Sequence, residues 1–339
     1  MKDDQPDRPV GAPKRPGASN GGDEGQGPRM TSVLCVGVAV YDEIFALPAF
    51  PTRPTKIFAS DFASAAGGPA ANAAITIARQ GGAATLWARI GNDMQGDRIV
   101  ADLSRSDVDV SRIRRVDHAR SGISAVGVTQ DGERMLLVFA DPNLDTDASW
   151  LPLDDVDGFD AILADVRWPA ASRAVIERAT RLGKPTVLDA DLTSDPTALA
   201  GLVPLASHVV FSEPALAQMA GAGRTTEAAL RSIYDQGGHL LVGVTLGEEG
   251  ACWVDAAGFH REPGIRIDAV DTLAAGDVFH GAFALAVARG LAPREAMRFA
   301  NLVAAVKCTR WGGGATIPTA AEVAAFVARQ ASTVTEDFA

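Results

Sequence analysis

Positive charge is in deficit in this chain. Its 339 residues hold 31 Lys and Arg against 42 Asp and Glu, a formal net charge of −11. Binding along a phosphate backbone needs a basic surface, so nucleic acid is excluded as a partner. Cysteine is nearly absent. Cys35, Cys252 and Cys308 lie far apart in apolar stretches, which excludes a disulfide framework and a Cys-rich metal site. Three buried, inert thiols suit a reducing cytoplasm, the expected location. No run of 18 apolar residues exists, so no membrane span is expected. Aromatic residues make up only 6 % of the chain. Several chemistry-bearing motifs are also missing. There is no GxxxxGK[ST] phosphate loop, no GxGxxG after the first apolar run and no HExxH.

What is present is a large apolar fraction, 47 %, rich in Ala and Gly. That suits helices packed closely on a sheet and allows one large α/β domain. Residues 1–30 hold five Pro and six Gly with little to bury, and read as a disordered tail. Thr31–Val40 reads as a buried strand that ends in Tyr41 and Asp42, so the Asp42 carboxylate would stand at a strand's C-terminal end. Ligands gather there in open α/β sheets; a turn aspartate is the plainer alternative. Pro69–Gln80 reads as a helix, with Pro at its start and Gly81-Gly82 at its end. Gly67-Gly68 precede it and Asn72 falls in its first turn, facing either a ligand or solvent. Lys56–Ala63 alternates like a strand. Ser121–Thr129 and Met135–Ala140 flank an Asp-Gly turn, a strong hairpin signal. These strands interrupt the alternation of strand and helix and predict a small separate sheet, for which a lid is the natural role. From Ala161 onward the alternation predicts a mainly parallel sheet with helices on both faces.

The most informative segment is Asp271–Asp277, DTLAAGD, followed by a helix with apolar residues at helical spacing. Unpartnered N–H groups at a helix start form an anion site. Ala275 and Gly276 let a phosphoryl group approach the backbone. Asp277 adds a carboxylate that repels phosphate but can take a proton from an attacking hydroxyl. The segment therefore suggests phosphoryl transfer to an alcohol. His280, one turn later, reads as a packing residue. Val244–Gly250 ends a strand in a glycine turn, with Thr245, Gly247 and Gly250 placed to approach a phosphate or only to make the turn. Asn301–Arg310, followed by Gly312–Gly314, predicts a helix and loop walling a flat base.

Taken in order, Gly67-Gly68 with Asn72, Gly91-x-Asp93-x-x-Gly96 and Asp271–Asp277 resemble the signatures of the ribokinase-like (PfkB) carbohydrate kinases. The likeness spans about residues 31–330. It implies a three-layer α/β/α domain over 31–335 with a mainly parallel central sheet. A small β-sheet lid would come from about 43–63 and 119–142 and would serve in a homodimer. It also implies ATP and Mg²⁺, with a monovalent cation as a further candidate cofactor. By resemblance Asp277 would be the base, and the N–H groups of Ala274, Ala275, Gly276 and Asp277 would hold the transferring phosphate. Asp42, Gly68 and Asn72 would bind sugar hydroxyls; Thr245, Gly247, Gly250 and Asn301 would line the nucleotide site. Two departures stand out. Ala274 replaces a glycine of the anion hole, which is tolerable only if the backbone there avoids φ > 0. The family's Asn-x-x-Glu motif reads Ser212-Glu213-Pro214-Ala215, leaving Glu213 as the nearest carboxylate and the metal ligands unknown.

Within the family, Leu163–Trp168, Thr186–Asp191, Phe211–Pro214, Gly276–Ala282 and Lys307–Arg310 resemble the 6-deoxy-6-sulfofructose kinase branch. That resemblance implies that Lys56 and Arg167 meet a sulfonate. A guanidinium fork suits a tetrahedral anion. The plainer alternatives are a solvated lysine at 56 and, for Arg167, an ion pair with Asp165 or Asp189. Val138 stands where that branch has an Asn. The expected activity is ATP-dependent phosphorylation of a primary hydroxyl on a small sugar, with a ketohexose derivative foremost. Fructose, a sugar phosphate, a nucleoside acceptor or a non-catalytic sensor are the alternatives.

Overall fold

The computed structural model describes residues 29–144, 146–221 and 223–336. The expected disordered tail therefore lies outside the described residues as far as position 28. The strands are β1 Ser32–Val36, β2 Val40–Leu47, β3 Asp61–Gly67, β4 Ala83–Trp87, β5 Arg89–Gly91, β6 Val108–Asp109, β7 Arg114–Val116, β8 Gly122–Thr129, β9 Arg134–Phe139, β10 Ala161–Asp165, β11 Thr186–Ala190, β12 His208–Ser212, β13 Leu241–Thr245, β14 Ala251–Asp255 and β15 Gly258–Glu262. The helices are α1 Pro69–Arg79, α2 Met94–Arg105, α3 Pro169–Arg181, α4 Pro196–Leu202, α5 Glu213–Ala220, α6 Thr226–Tyr234, α7 Ala275–Ala288, α8 Pro293–Cys308 and α9 Ala320–Glu336.

Nine strands form the main sheet in the order β15-β14-β13-β12-β11-β10-β1-β4-β6. Strands β6 to β13 run parallel, and β14 and β15 close one edge antiparallel. Alternate residues of each strand feed two cores, as period-2 geometry requires. Val33 and Cys35 join α1, α7 and α8 on one face. Leu34 and Val36 join α3, α4 and α6 on the other. Small residues set the first face: a Cβ on Gly281 of α7 would lie 2.6 Å from the Ala73 carbonyl of α1. The three-layer α/β arrangement is as expected. No described helix is long and apolar enough to cross a membrane.

A second sheet, β3-β2-β8-β9, forms the lid. Its strands pair β2 with β8 in parallel and the others antiparallel. The hairpin is as expected, but two expectations fail. The apolar run from Thr31 is not one strand. It breaks at Gly37, whose N–H bonds to Trp87 O at 3.2 Å, and resumes as β2 in the other sheet. Asp42 is therefore the third residue of a lid strand, not the end of a core strand. Nor does a strand cover Lys56–Ala63, because pairing with β2 begins only at Asp61.

Candidate active site

The parallel strands deliver carboxylates to one edge of the sheet. Asp165 ends β10, and Asp189 sits at the penultimate position of β11. Asp165 is buried and accepts N–H bonds from Val38 at 2.8 Å, Arg167 at 2.8 Å and Ala70 at 3.3 Å. Burial raises its pKa to about 6, against the pull of those three donors. This carboxylate fixes the crossing from β1 to β2 and the start of α1. Its own side chain gave no local clue to that role, since Val38 and Ala70 lie 127 and 95 residues away.

Helix α1 starts at Gly68, with φ +96°, and places Asn72 in its first turn. The Asn72 side-chain amide donates to Asp277 Oδ2 at 2.7 Å. Its Oδ1 is buried without a hydrogen-bond partner. Asp277 is half-buried at the first turn of α7. Burial raises its pKa; the Asn72 amide and then His280 hold the rise back. Asp42 approaches from the lid. A Cβ on Gly67 would come within 1.9 Å of its Oδ2, so only glycine fits beside it. Burial pushes the Asp42 pKa up to about 7, a hydrogen bond from Ser124 opposes the shift, and the charge of Asp277 adds to it. The structure thus gathers Asp42, Gly68, Asn72 and Asp277 into one cleft between lid and sheet.

The turn before α7 has the expected opening, with two corrections. Ala274 adopts φ +65°, ψ 6°, a left-handed conformation. The condition that Ala274 should avoid positive φ is not met: the glycine-like geometry is kept with a methyl present, at a cost of roughly 1–2 kcal/mol. Of the four N–H groups expected to face phosphate, that of Ala275 is committed to Thr272 O at 3.2 Å. Those of Ala274, Gly276 and Asp277 have no acceptor among the described residues. A Cβ on Gly276 would meet nothing within 4 Å, so the space above the turn is open. Substituting Ala274→Gly should relieve the strain but raise unfolded-chain entropy. A net gain of about 0.5–1 kcal/mol is expected, read as a higher chemical-denaturation midpoint; a lower midpoint contradicts it.

Asp271, first residue of the motif, binds no ligand group. Its Oδ1 accepts from Leu273 N at 2.8 Å, and its Oδ2 from Gly313 N at 2.9 Å and Gly312 N at 3.0 Å. The fully buried Lys307 donates to its backbone carbonyl at 2.9 Å and pairs with Oδ2 at 3.2 Å. The Gly312–Gly314 loop is therefore held beside the acceptor cleft. A Cβ on Gly314 would lie 2.5 Å from Asn72 Oδ1. The loop expected to wall a nucleotide base thus touches Asn72 on one side.

The other expected residues divide. Thr245 ends β13, but its hydroxyl donates to Phe211 O at 3.4 Å. Gly247 opens the following turn with φ +55°. Gly250 has φ +92°, and a Cβ there would strike Glu262 O at 2.2 Å. The Asn301 amide donates weakly to Pro263 O at 3.4 Å and Glu262 O at 3.5 Å. Gly250 and Asn301 thus hold one loop, 262–264, against the turn after β13. Glu213 is exposed at the start of α5. Arg167 pairs with Asp191 at 2.9 Å, not with the Asp165 or Asp189 carboxylate. Lys56 is exposed in the irregular stretch before β3 and makes no hydrogen bond or ion pair with a described residue. In Gly91-x-Asp93-x-x-Gly96, Asp93 caps α2 through Gly96 N and also accepts from Ser121 N and Oγ, a structural joint between α2 and the lid hairpin.

This arrangement, an open turn with a carboxylate on the helix that follows it and a small second sheet beside it, can be compared with known proteins. Residues 30–320 match the pfkB family carbohydrate kinases. The chain belongs to that family. A candidate ribokinase from Agrobacterium tumefaciens superposes with a TM-score of 0.85 at 38 % identity, over 90 % of this chain and 99 % of that one. Fructokinase-2 of Zea mays is 27 % identical over 291 residues, covering 79 % of this chain and 87 % of the relative. The ribokinase of Arabidopsis thaliana, solved with ribose and ATP, shares the fold at a TM-score of 0.75 and 24 % identity, over 87 % of this chain and 97 % of that one. The pfkB chain described here is thus a carbohydrate kinase, a phosphotransferase with an alcohol as acceptor.

Proposed function

We propose that this pfkB kinase moves the γ-phosphoryl group of ATP to the primary hydroxyl of a small ketohexose derivative, with 6-deoxy-6-sulfofructose the leading candidate. The observation that carries the reaction is the Asn72–Asp277 contact beneath the open turn at Gly276. Asn72 steers the Asp277 carboxylate toward the acceptor hydroxyl, whose proton it takes. The free N–H groups of the turn receive the phosphoryl oxygens as charge builds on them. Asp42 and the unpartnered Asn72 Oδ1 accept bonds from other sugar hydroxyls. The lid excludes water, which would otherwise take the phosphate. Thr245, Gly247, Gly250 and Asn301 would border the nucleotide. Among the described residues no group of three His, Cys, Asp or Glu is arranged to hold a metal. Mg²⁺ would arrive on the nucleotide phosphates. The structure offers no separate support for a monovalent cation.

The acceptor is set by Arg167. It stands just past β10 at the ligand edge, and its resemblance to the sulfofructose branch supports an anionic 6-substituent. Its pairing with Asp191 favours a second reading, an uncharged ketose such as fructose, because the guanidinium charge is already matched. A kinase screen of sulfofructose, fructose, fructose phosphates and ribose decides between them. With an anionic acceptor, Arg167→Ala is expected to raise KM about tenfold to a hundredfold, the value of a charge-assisted bond of roughly 1.5–3 kcal/mol. With fructose it should change KM little. Equal losses on both would remove Arg167 as the anion contact.

The lid also supports a homodimer. Met135–Phe139 on the edge strand β9 are exposed, with Leu137 at 67 % and Val138 at 62 %. An apolar edge strand left open invites pairing with a second copy. A sedimentation experiment that returns only monomer would remove this reading. The three buried free thiols suit a reducing cytoplasm.

A further inference from the structure

His280 lies in α7 three residues after Asp277, and its ring is sealed at 3 % exposure. Both ring nitrogens face backbone oxygens. Nδ1 is 2.8 Å from Gly276 O, and Nε2 is 3.1 Å from Val210 O of β12. A carbonyl oxygen only accepts, so each contact needs an N–H on the ring. Neutral imidazole has one N–H; the imidazolium form has two. In either neutral tautomer one bare nitrogen would point its lone pair at a carbonyl oxygen, a repulsion that water cannot relieve at this depth. A carboxyl group stands beside the ring: Asp189 Oδ2 of β11 lies 3.5 Å from Nδ1, and His280 opposes the burial that raises the Asp189 pKa to about 7.

The charged groups around the ring are carboxylates. Asp189 faces it from β11 and Asp277 from α7 itself. Asp191, past the end of β11, acts in turn on both, Asp165 of β10 acts on Asp189, and the Arg134 guanidinium of β9 acts on Asp277, favouring its ionised form. His280 favours the ionised form of both Asp189 and Asp277. Its bond to Gly276 O also pins the residue at the centre of the phosphate turn.

We propose that His280 is a positioning residue of this kinase. As a doubly protonated ring beneath the turn, it holds the Gly276 carbonyl and keeps the Asp277 carboxylate anionic for proton removal. This rests on the reading of Asp277 as the base. The ring moves no proton in the reaction; it acts through its neighbours.

The first test needs neither sugar nor ATP and so stands apart from the kinase reading. In wild-type protein at pH 7, side-chain ¹⁵N–¹H correlation spectra should show both His280 ring nitrogens protonated. One protonated and one bare nitrogen overturns the proposal. The second test is His280→Asn, which keeps N–H donors and loses the charge. Removing a cation makes the Asp277 proton harder to lose. The acid limb of kcat/KM should therefore move to higher pH by roughly one unit, with plateau kcat lowered less than tenfold. A limb that stays in place also overturns the proposal.

Discussion

Asp277→Asn is expected to lower kcat by about 10²–10⁴-fold, the usual range for loss of a general base. The variant should still fold. Asn keeps an oxygen that can accept the Asn72 amide, and it removes a burial penalty on the carboxylate. KM for the sugar should change far less than kcat, because Asp42 and Asn72 remain to bind it. The pH profile adds a second readout. Burial raises the Asp277 pKa, and the base works only when ionised. Wild-type kcat/KM should therefore fall, as pH is lowered, through a limb above the ordinary carboxylate range. The residual activity of the variant should lack that limb. Near-wild-type turnover, or an unchanged limb, would remove Asp277 as the base.

Asp42→Asn should stabilise the free protein while weakening sugar binding. The Asp42 pKa is raised to about 7 in the folded chain. A group raised on folding contributes stability that is fully present below its unfolded pKa, near 4, and lost as pH climbs through the folded value. Moving a carboxyl from its ordinary range to about 7 corresponds to roughly 4 kcal/mol at 1.36 kcal/mol per pH unit. At pH 8 the Asn variant should be more stable than wild type by up to about that amount. Below about pH 4 the difference should vanish. Sugar affinity should fall about tenfold to a hundredfold, as an ionised acceptor of hydroxyl bonds is lost. Denaturant melts at pH 4, 6 and 8 check the first effect, and KM checks the second. A variant less stable at pH 8 would show that the carboxylate is matched by a partner in the folded state.

The helices were legible because their signals are local. Pro69 and the glycines at 81 and 82 bracket α1, and the last three residues of DTLAAGD form the first turn of α7. The sheets were less so. Hydrophobicity runs unbroken from Thr31 to Val40, and the break at Gly37 exists because Asp165, far along the chain, fills the place of a side chain. A Cβ there would sit 2.0 Å from its Oδ2. Lys56–Ala63 alternates, but strand limits follow the partner strand, not the pattern alone. The site was half visible. Asn72 and Asp277 lie in family motifs, Asp42 follows the first apolar run, and the three meet in space. His280 looked like packing because its second acceptor, Val210 O, comes from β12 and its carboxyl neighbour Asp189 from β11. The contact of the 312–314 glycine loop with Asn72 was not legible, because nothing nearby in sequence announces its tether to Asp271.

That tether governs when the enzyme can first work during its own synthesis. Val270 N and Asp271 N bond to Cys308 O, and Lys307, Gly312 and Gly313 close on the Asp271 carboxyl group. The phosphate turn therefore has its supports only after residues 307–313 have left the ribosome. Chains grow and fold from the N-terminus, so a nascent chain presents the acceptor residues Asp42 and Asn72 long before it has a finished phosphate cradle. Until then the turn that the proposed transfer needs has no tether to hold its shape.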